Sequence, residues 1–267
     1  MTLQIEFLLF LFTGVFTGIL SGLLGVGGGL VIVPILLILL GQQGFPHEYL
    51  MHVALGTSLA TIIFTSLMSA RAHHRHGNVN WPVVWRITPG IIAGTLFGAW
   101  LAGQLDATSL KIVFIVFVFY VGTQLLLNLA PPPSRALPGS LGIFSAGSVI
   151  GTFSSLVGIG GGTLTVPFLV FCNTHMRNAV GTSAAVGFPI AIAGTVGYVA
   201  TGWHTANLPP YCLGFIYLPA VAGITLTSML TAATGAKLAQ TLPAPTLKKL
   251  FALLLYGLGL KMLLSII

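Results

Sequence analysis

Two glycine blocks set inside apolar sequence are where this chain could do chemistry. Gly25-Val26-Gly27-Gly28-Gly29 and Gly158-Ile159-Gly160-Gly161-Gly162 each lie in a long hydrophobic run, and each is followed by a proline, Pro34 and Pro167. Three successive glycines cost a helix about 3 kcal/mol relative to alanine, so a helix break is the expected use of such a block. A break leaves bare backbone N–H groups at the start of the next half-helix, whose partial positive charge suits an anion. Without a Cβ, nothing keeps that anion off the backbone.

A second set consists of hydroxyls. Gly56-Thr57-Ser58 and Gly181-Thr182-Ser183 recur in apolar surroundings. If the helix carrying the first triplet begins near Glu48, Thr57 lies roughly 14 Å along it, close to the middle of a ~30 Å hydrocarbon core. One such hydroxyl usually bonds back to its own helix. The same triplet at similar depth twice argues for a central polar cavity, with Thr57, Ser58, Thr182 and Ser183 around it beside the glycine breaks. His52 and Arg177 occupy one repeat position, where either could guide an anion inward; Arg177 also serves topology, and His52 suits a membrane interface equally well. His73-His74-Arg75-His76 has no acidic neighbour and reads as a headgroup-level loop rather than a metal site. Cys172 and Cys212 read as packing residues.

The elements that must position these groups are apolar throughout. Of 267 residues, 55% are hydrophobic and 5% charged, and the mean hydropathy is +1.01. That excludes a soluble globular domain and leaves room for about eight to ten membrane segments. Ten Lys and Arg stand against Glu6, Glu48 and Asp106, an excess that membrane topology explains without nucleic acid. No membrane segment is expected to contain a buried acid, so a carboxylate proton relay is unavailable. The N-terminus has no basic n-region, so no removable signal peptide is expected.

Self-similarity organises the chain. Ser21–Leu37 matches Ser154–Val170 at nine of 17 positions, and Met51–Ala60 matches Met176–Ala185 at six of ten. The offset falls from 133 to 125, placing eight extra residues in the Gly41–Glu48 region of the first half. Weaker echoes pair Gly98 with Gly235 and Gly122 with Gly259. The predicted organisation is a first repeat over 1–130, a proline-rich linker over 131–139 and a second repeat over 140–267. Each repeat has a glycine-interrupted element (4–40, 140–172) and three plain helices (50–70, 82–103, 108–129; 176–200, 210–236, 247–267). Gly14/Gly18 and Gly147/Gly151 suit small-residue helix seams. If each interrupted element returns to the face it entered, Arg71, Arg75, Arg86, Arg135, Arg177, Lys237, Lys248 and Lys249 share one side and only Lys111 and Lys261 the other. The positive-inside rule favours that arrangement. The expected fold class is therefore all-α: a polytopic integral membrane protein of two inverted homologous repeats, each a glycine-broken hairpin plus three transmembrane helices. Such repeats with interrupted helices are the usual build of secondary transporters.

The paired G-x-G-G-G-x-x-x-x-P blocks, each followed by A-x-G-T-S, resemble the signature of the sulfite exporter TauE/SafE family over essentially the whole chain. The resemblance implies a transporter of the bacterial inner membrane for a small sulfur oxyanion such as sulfite, thiosulfate or a sulfonate. The site expected is Gly27, Gly28, Gly29, Gly160, Gly161 and Gly162 as amide donors, with Thr57, Ser58, Thr163, Thr165, Thr182 and Ser183 as hydroxyls. His52 and Arg177 are secondary candidates. The first block has Leu30 and Ile32 where the second has Thr163 and Thr165, so whether both breaks touch substrate stays open. No cofactor or metal is called for, and homo-oligomerisation is possible. A rhomboid-type protease would need Gly-x-Ser-Gly, whereas Leu59 and Ala184 follow the serines here; a histidine-box hydroxylase would need several clusters. A passive anion channel is the alternative that the same broken helices would also suit.

Overall fold

A computed structural model of the chain describes residues 3–24, 28–127, 135–241 and 244–266. Among them are ten helices and one short hairpin: α1 (Leu3–Leu24), α2 (Gly29–Gln42), α3 (His47–Arg75), α4 (Trp81–Gln104), α5 (Ala107–Leu126), α6 (Ser140–Val157), α7 (Gly162–Phe171), α8 (Met176–Gly202), β1 (Cys212–Leu213), β2 (Ile216–Tyr217), α9 (Leu218–Thr241) and α10 (Ala244–Leu264). Five of these, α3, α4, α5, α6 and α8, are long and apolar enough to cross a membrane. The chain is an all-helical polytopic membrane protein. Its outward faces carry large apolar side chains such as Phe12, Trp85, Val116 and Leu230, which a bilayer would cover.

Helix ends follow local chemistry. Asn80 caps α4, with Pro82 in the first turn where a missing N–H costs nothing. Asp106 caps α5 through Thr108 N and Ser109 N, each at 3.1 Å. α6 ends at Gly158, whose φ of 68° is the left-handed turn that glycine tolerates, with Ile159 N reaching back to Ser154 O. One predicted helix begins late: 210–217 is not helical but turns through Tyr211 and Gly214, both at positive φ, and pairs as a two-residue hairpin before α9 starts. The eight extra residues of the first half do not form a longer loop. α2 has 14 residues against 10 in α7, and α3 starts four residues ahead of Met51, the counterpart of Met176, so each helix gains about one turn. Residues 131–134 of the proline-rich linker lie outside the described residues.

Small residues set the helix pairing. α1 packs on α9 and α6 on α4, each through glycines: a methyl group at Gly14 or Gly18 would strike Ile224 or Ser228 backbone, and one at Gly147 or Gly151 would strike Ile87 or Ile91 backbone. Thr227 and Thr231 seal the first seam by donating to Leu11 O (2.7 Å) and Val15 O (3.2 Å), and Thr152 seals the second by donating to Gly94 O (3.0 Å). α5 and α10 exchange aromatic rings for glycine notches, Tyr256 over Gly122 and Phe119 beside Gly259, with the Thr123 and Tyr256 hydroxyls 2.6 Å apart. α3 and α8 cross antiparallel at the centre, where Gly56 takes the Tyr198 ring and Gly194 takes Leu59.

Candidate functional site

Both glycine blocks break their helices in one way. Gly28 and Gly161 are the N-caps of α2 and α7, at φ 70° and 77°, and neither helix start receives a side-chain cap. The hydrogen-bond ladder opens with Val31 and Ile32 on Gly28 O, and with Leu164 and Thr165 on Gly161 O. The N–H groups just ahead, at Gly29 and Leu30 and at Gly162 and Thr163, therefore precede the ladder. The breaks are adjacent in the bundle: a methyl group at Gly29 would strike the Gly158 carbonyl and lie 3.1 Å from Ile159 Cα. Gly27 lies outside the described residues.

The electrostatics of the second break are one-sided. The last carbonyls of α6 would offer negative charge, but Tyr198 OH donates to Ser155 O at 3.0 Å and Ser58 Oγ donates to Gly158 O at 2.8 Å. With the Ser155 and Gly158 carbonyls satisfied, the positive start of α7 is less opposed. Around it lie hydroxyls with no partner among the described residues: Ser154, Thr163, Thr165 and Ser183, all buried. A methyl group at Gly161 would come within 3.3 Å of Thr165 Oγ1 and 3.7 Å of Ser154 Oγ. Orphaned buried hydroxyls in an apolar bundle are costly and point to a polar occupant.

The threonines of the repeated triplets have other partners. Thr57 Oγ1 accepts the N–H of Tyr217, and Thr182 Oγ1 accepts that of Asn80, each at 3.0 Å. Tyr217 and Asn80 immediately precede α9 and α4. The preceding glycines admit the same segments, Gly56 against Phe215 O and Gly181 against Asn78 O. Each Gly-Thr pair thus clasps the loop that leads into a helix of the other half, and Ser58 clasps its glycine break. His52 and Arg177, which share one repeat position, also part company. His52 is buried, its ring tilted against Phe215, with Nε2 donating to Ala102 O (3.0 Å) and Leu105 O (3.1 Å) at the end of α4, whereas Arg177 is exposed at the start of α8. Neither lies at the breaks. His74 accepts a bond from Trp81 Nε1 at 3.1 Å on the exposed end of α3.

Sequence reasoning missed Ser154 and Ser21. The signal was present, because the two serines head the matched glycine blocks at the same repeat position.

The sequence model of the sulfite exporter TauE/SafE family matches residues 10–262. The chain belongs to this family. It is a membrane transporter and not an enzyme. It is similar to a "Probable membrane transporter protein" of Haemophilus influenzae, 41% identical over 97% of this chain and 98% of that protein. It is also similar to proteins of the same description from Methanocaldococcus jannaschii, 28% identical over 98% of both chains, and from Bacillus subtilis (YdhB), 29% identical over 86% of this chain and 89% of that one. No solved structure matches significantly.

Proposed function

We propose that the chain is a secondary transporter carrying a small sulfur oxyanion, sulfite, thiosulfate or a sulfonate, across the bacterial inner membrane by alternating access between two inverted repeats. The observation that carries this reading is the second break, where the Ser155 and Gly158 carbonyls are satisfied while the α7 start faces orphaned hydroxyls. Such a site has few free carbonyl acceptors and several donors, which suits an oxyanion over a cation. Gly160, Gly161 and Gly162 offer amides, and Thr163, Thr165, Ser154 and Ser183 offer hydroxyls; Gly28 and Gly29 bring the first break alongside. Thr57, Ser58 and Thr182 hold the halves together around it.

Inversion is supported by helix direction. α1 runs parallel to α9, with Phe10, Gly14 and Gly18 meeting Gly223, Ile224 and Ser228 in order, while α6 runs parallel to α4, which points the other way. Each broken pair then returns to the end it entered, and the pairs enter from opposite ends. α2 and α7 climb about 21 and 15 Å from their breaks, lengths that support breaks near mid-depth. This is the geometry in which rocking one half against the other exposes a fixed site alternately.

The test is thermal stabilisation of purified protein by sulfite, sulfate, thiosulfate, small sulfonates, phosphate, nitrate and acetate, followed by uptake in proteoliposomes. A ligand at a hundred times its dissociation constant adds about 2.7 kcal/mol to stability. Selective stabilisation by a sulfur anion, with accumulation against its gradient, is expected. Stabilisation by none of these anions overturns the reading, and flux that only dissipates a gradient would make the protein a channel.

A further inference from the structure

We propose that Thr65, Ser66 and Ser69 of α3, with Ser21 of α1, line the route by which the anion reaches the breaks from the end of the bundle bearing Arg71 and Arg75, and that Ile62 is its inner closure. This rests on the breaks being the substrate site. These four residues share a cavity of about 30 Å³ with Gly160, Gly162 and Ser183. Ser183 is 2% exposed and its Oγ has no partner among the described residues. An occupant of the cavity is thus already invited from its inner wall.

Helical spacing makes the α3 residues one file. Positions 62, 65, 66 and 69 fall three, four and seven residues apart, on one face. Along it Ser69 and Thr65 are half-buried, Ser66 is buried, and Ile62 is fully enclosed, so the file runs from the end of the helix to the centre. Its hydroxyls are loosely held. Thr65 Oγ1 sits 3.3 Å from Ile62 O and 3.5 Å from Thr61 O, and Ser66 Oγ 3.1 Å from Ile63 O, weak bonds to their own helix that a passing anion or its water can replace.

The other repeat shows what the file is for. At the repeat offset of 125, Thr65, Ser66 and Ser69 correspond to Ile190, Ala191 and Gly194. Those positions are packed shut: Ile190 presses on Gly161, and Gly194 receives Leu59. The protein is therefore wet on one side of the breaks and dry on the other. Ile62 stands between the breaks, with Cγ2 3.0 Å from a methyl group placed at Gly160 and Cδ1 3.2 Å from one at Gly29. A volume of about 30 Å³ holds a water or so, not a multi-oxygen anion, so Ile62 must move for cargo to seat.

Cysteine labelling tests this without any knowledge of the cargo. Cys172 and Cys212 are replaced by alanine, and Thr65→Cys, Ser66→Cys, Ser69→Cys and Ala191→Cys are introduced singly; serine to cysteine changes one atom. Oriented membrane vesicles are treated with an impermeant, anionic sulfonatoethyl methanethiosulfonate. Ser69→Cys and Thr65→Cys should react about ten-fold or more faster than Ala191→Cys, only from the face bearing Arg71 and Arg75, and faster than with the cationic trimethylammonium reagent. Adding Ile62→Ala should extend reactivity to Ser183→Cys. Equal reactivity at Ala191→Cys, labelling from the opposite face, or no labelling at either α3 position overturns the route. Labelling as expected with no anion stabilising the protein would retain a wet cleft and reject the transport reading instead.

Discussion

The two glycine breaks share a backbone and differ in chemistry. Each has a left-handed glycine N-cap, Gly28 or Gly161, and each starts a proline-containing helix. Around Gly28 the nearest groups are Ile32 Cδ1, Thr17 O and Ser21 Cβ, at 3.5 to 3.7 Å. Around Gly161 they are Ile190 Cδ1, Thr165 Oγ1 and Ser154 Oγ. Ile32 and Thr165 are one repeat position, as are Ser21 and Ser154. Glycine therefore dictates that the helix breaks, and under the proposed function the side chain one turn later decides whether the break binds the anion. On that reading the difference teaches that a duplicated frame can assign binding to one copy and approach to the other.

The sharpest test of that division is steric. Gly161→Ala combines a positive φ with a collision against buried Ile190, whereas Gly28→Ala suffers the φ alone. We expect Gly28→Ala to lose about 1–2 kcal/mol and Gly161→Ala a further 1–3 kcal/mol or so from overpacking, read by thermal unfolding in detergent. Gly161→Ala paired with Ile190→Ala should recover part of that loss. Equal losses at the two glycines would erase the distinction between the breaks.

A chemical test comes next in size. Thr165→Val deletes a hydroxyl that is buried without a partner, so the unliganded protein should be no less stable. Anion affinity should fall by about 1.5–3 kcal/mol, the worth of a hydrogen bond to a charged group, seen as loss of thermal stabilisation by the sulfur anion. Thr163→Val should behave alike. If Ile32→Val in the first break costs as much affinity as Thr165→Val, both breaks bind cargo and the division fails.

Much of this was legible in the sequence because glycine and proline act locally. The breaks at Gly28 and Gly161, the small-residue seams at Gly14/Gly18 and Gly147/Gly151, and the helix sequence all follow from backbone freedom and hydrophobic runs. What the sequence could not show is which atoms each hydroxyl faces. Thr57 and Ser58 are neighbours of one triplet, yet Thr57 accepts from a loop before α9 and Ser58 donates to the Gly158 carbonyl just past α6. Those partners lie 160 and 100 residues away, and no local pattern encodes them. His52 and Arg177 diverge for the same reason, since one position faces the end of α4 and the other faces outward.

Smaller effects probe whether the halves also differ in their clasps. Thr182→Val removes the acceptor for Asn80 N and should cost about 1–3 kcal/mol, since a partly buried donor loses its partner. Thr57→Val should cost a similar amount at the repeat-equivalent contact. If the two clasps are independent, the double variant loses the sum; a shortfall measured in a double-mutant cycle would show that the halves are coupled through them.

The smallest expected effect lies at the helix caps, and it depends on pH. Asp106 caps α5, while the corresponding position of the second half is Pro243, which has no carboxylate. The Ser109 hydroxyl, 2.6 Å from Asp106 Oδ1, and the N–H groups of Ser109 and Thr108 hold the Asp106 carboxyl below its ordinary range. A depressed folded-state value means that the cap's contribution is fully present above the ordinary carboxylate pKa of about 3.9 and is lost as pH falls through the lower folded value. Asp106→Ala should therefore lower the melting temperature slightly at neutral pH, with the gap to the parent protein closing as the medium becomes strongly acidic. A gap that persists in strong acid would show that Asp106 supports α5 by packing rather than by its charge, and that the first half gains nothing electrostatic that the second half lacks.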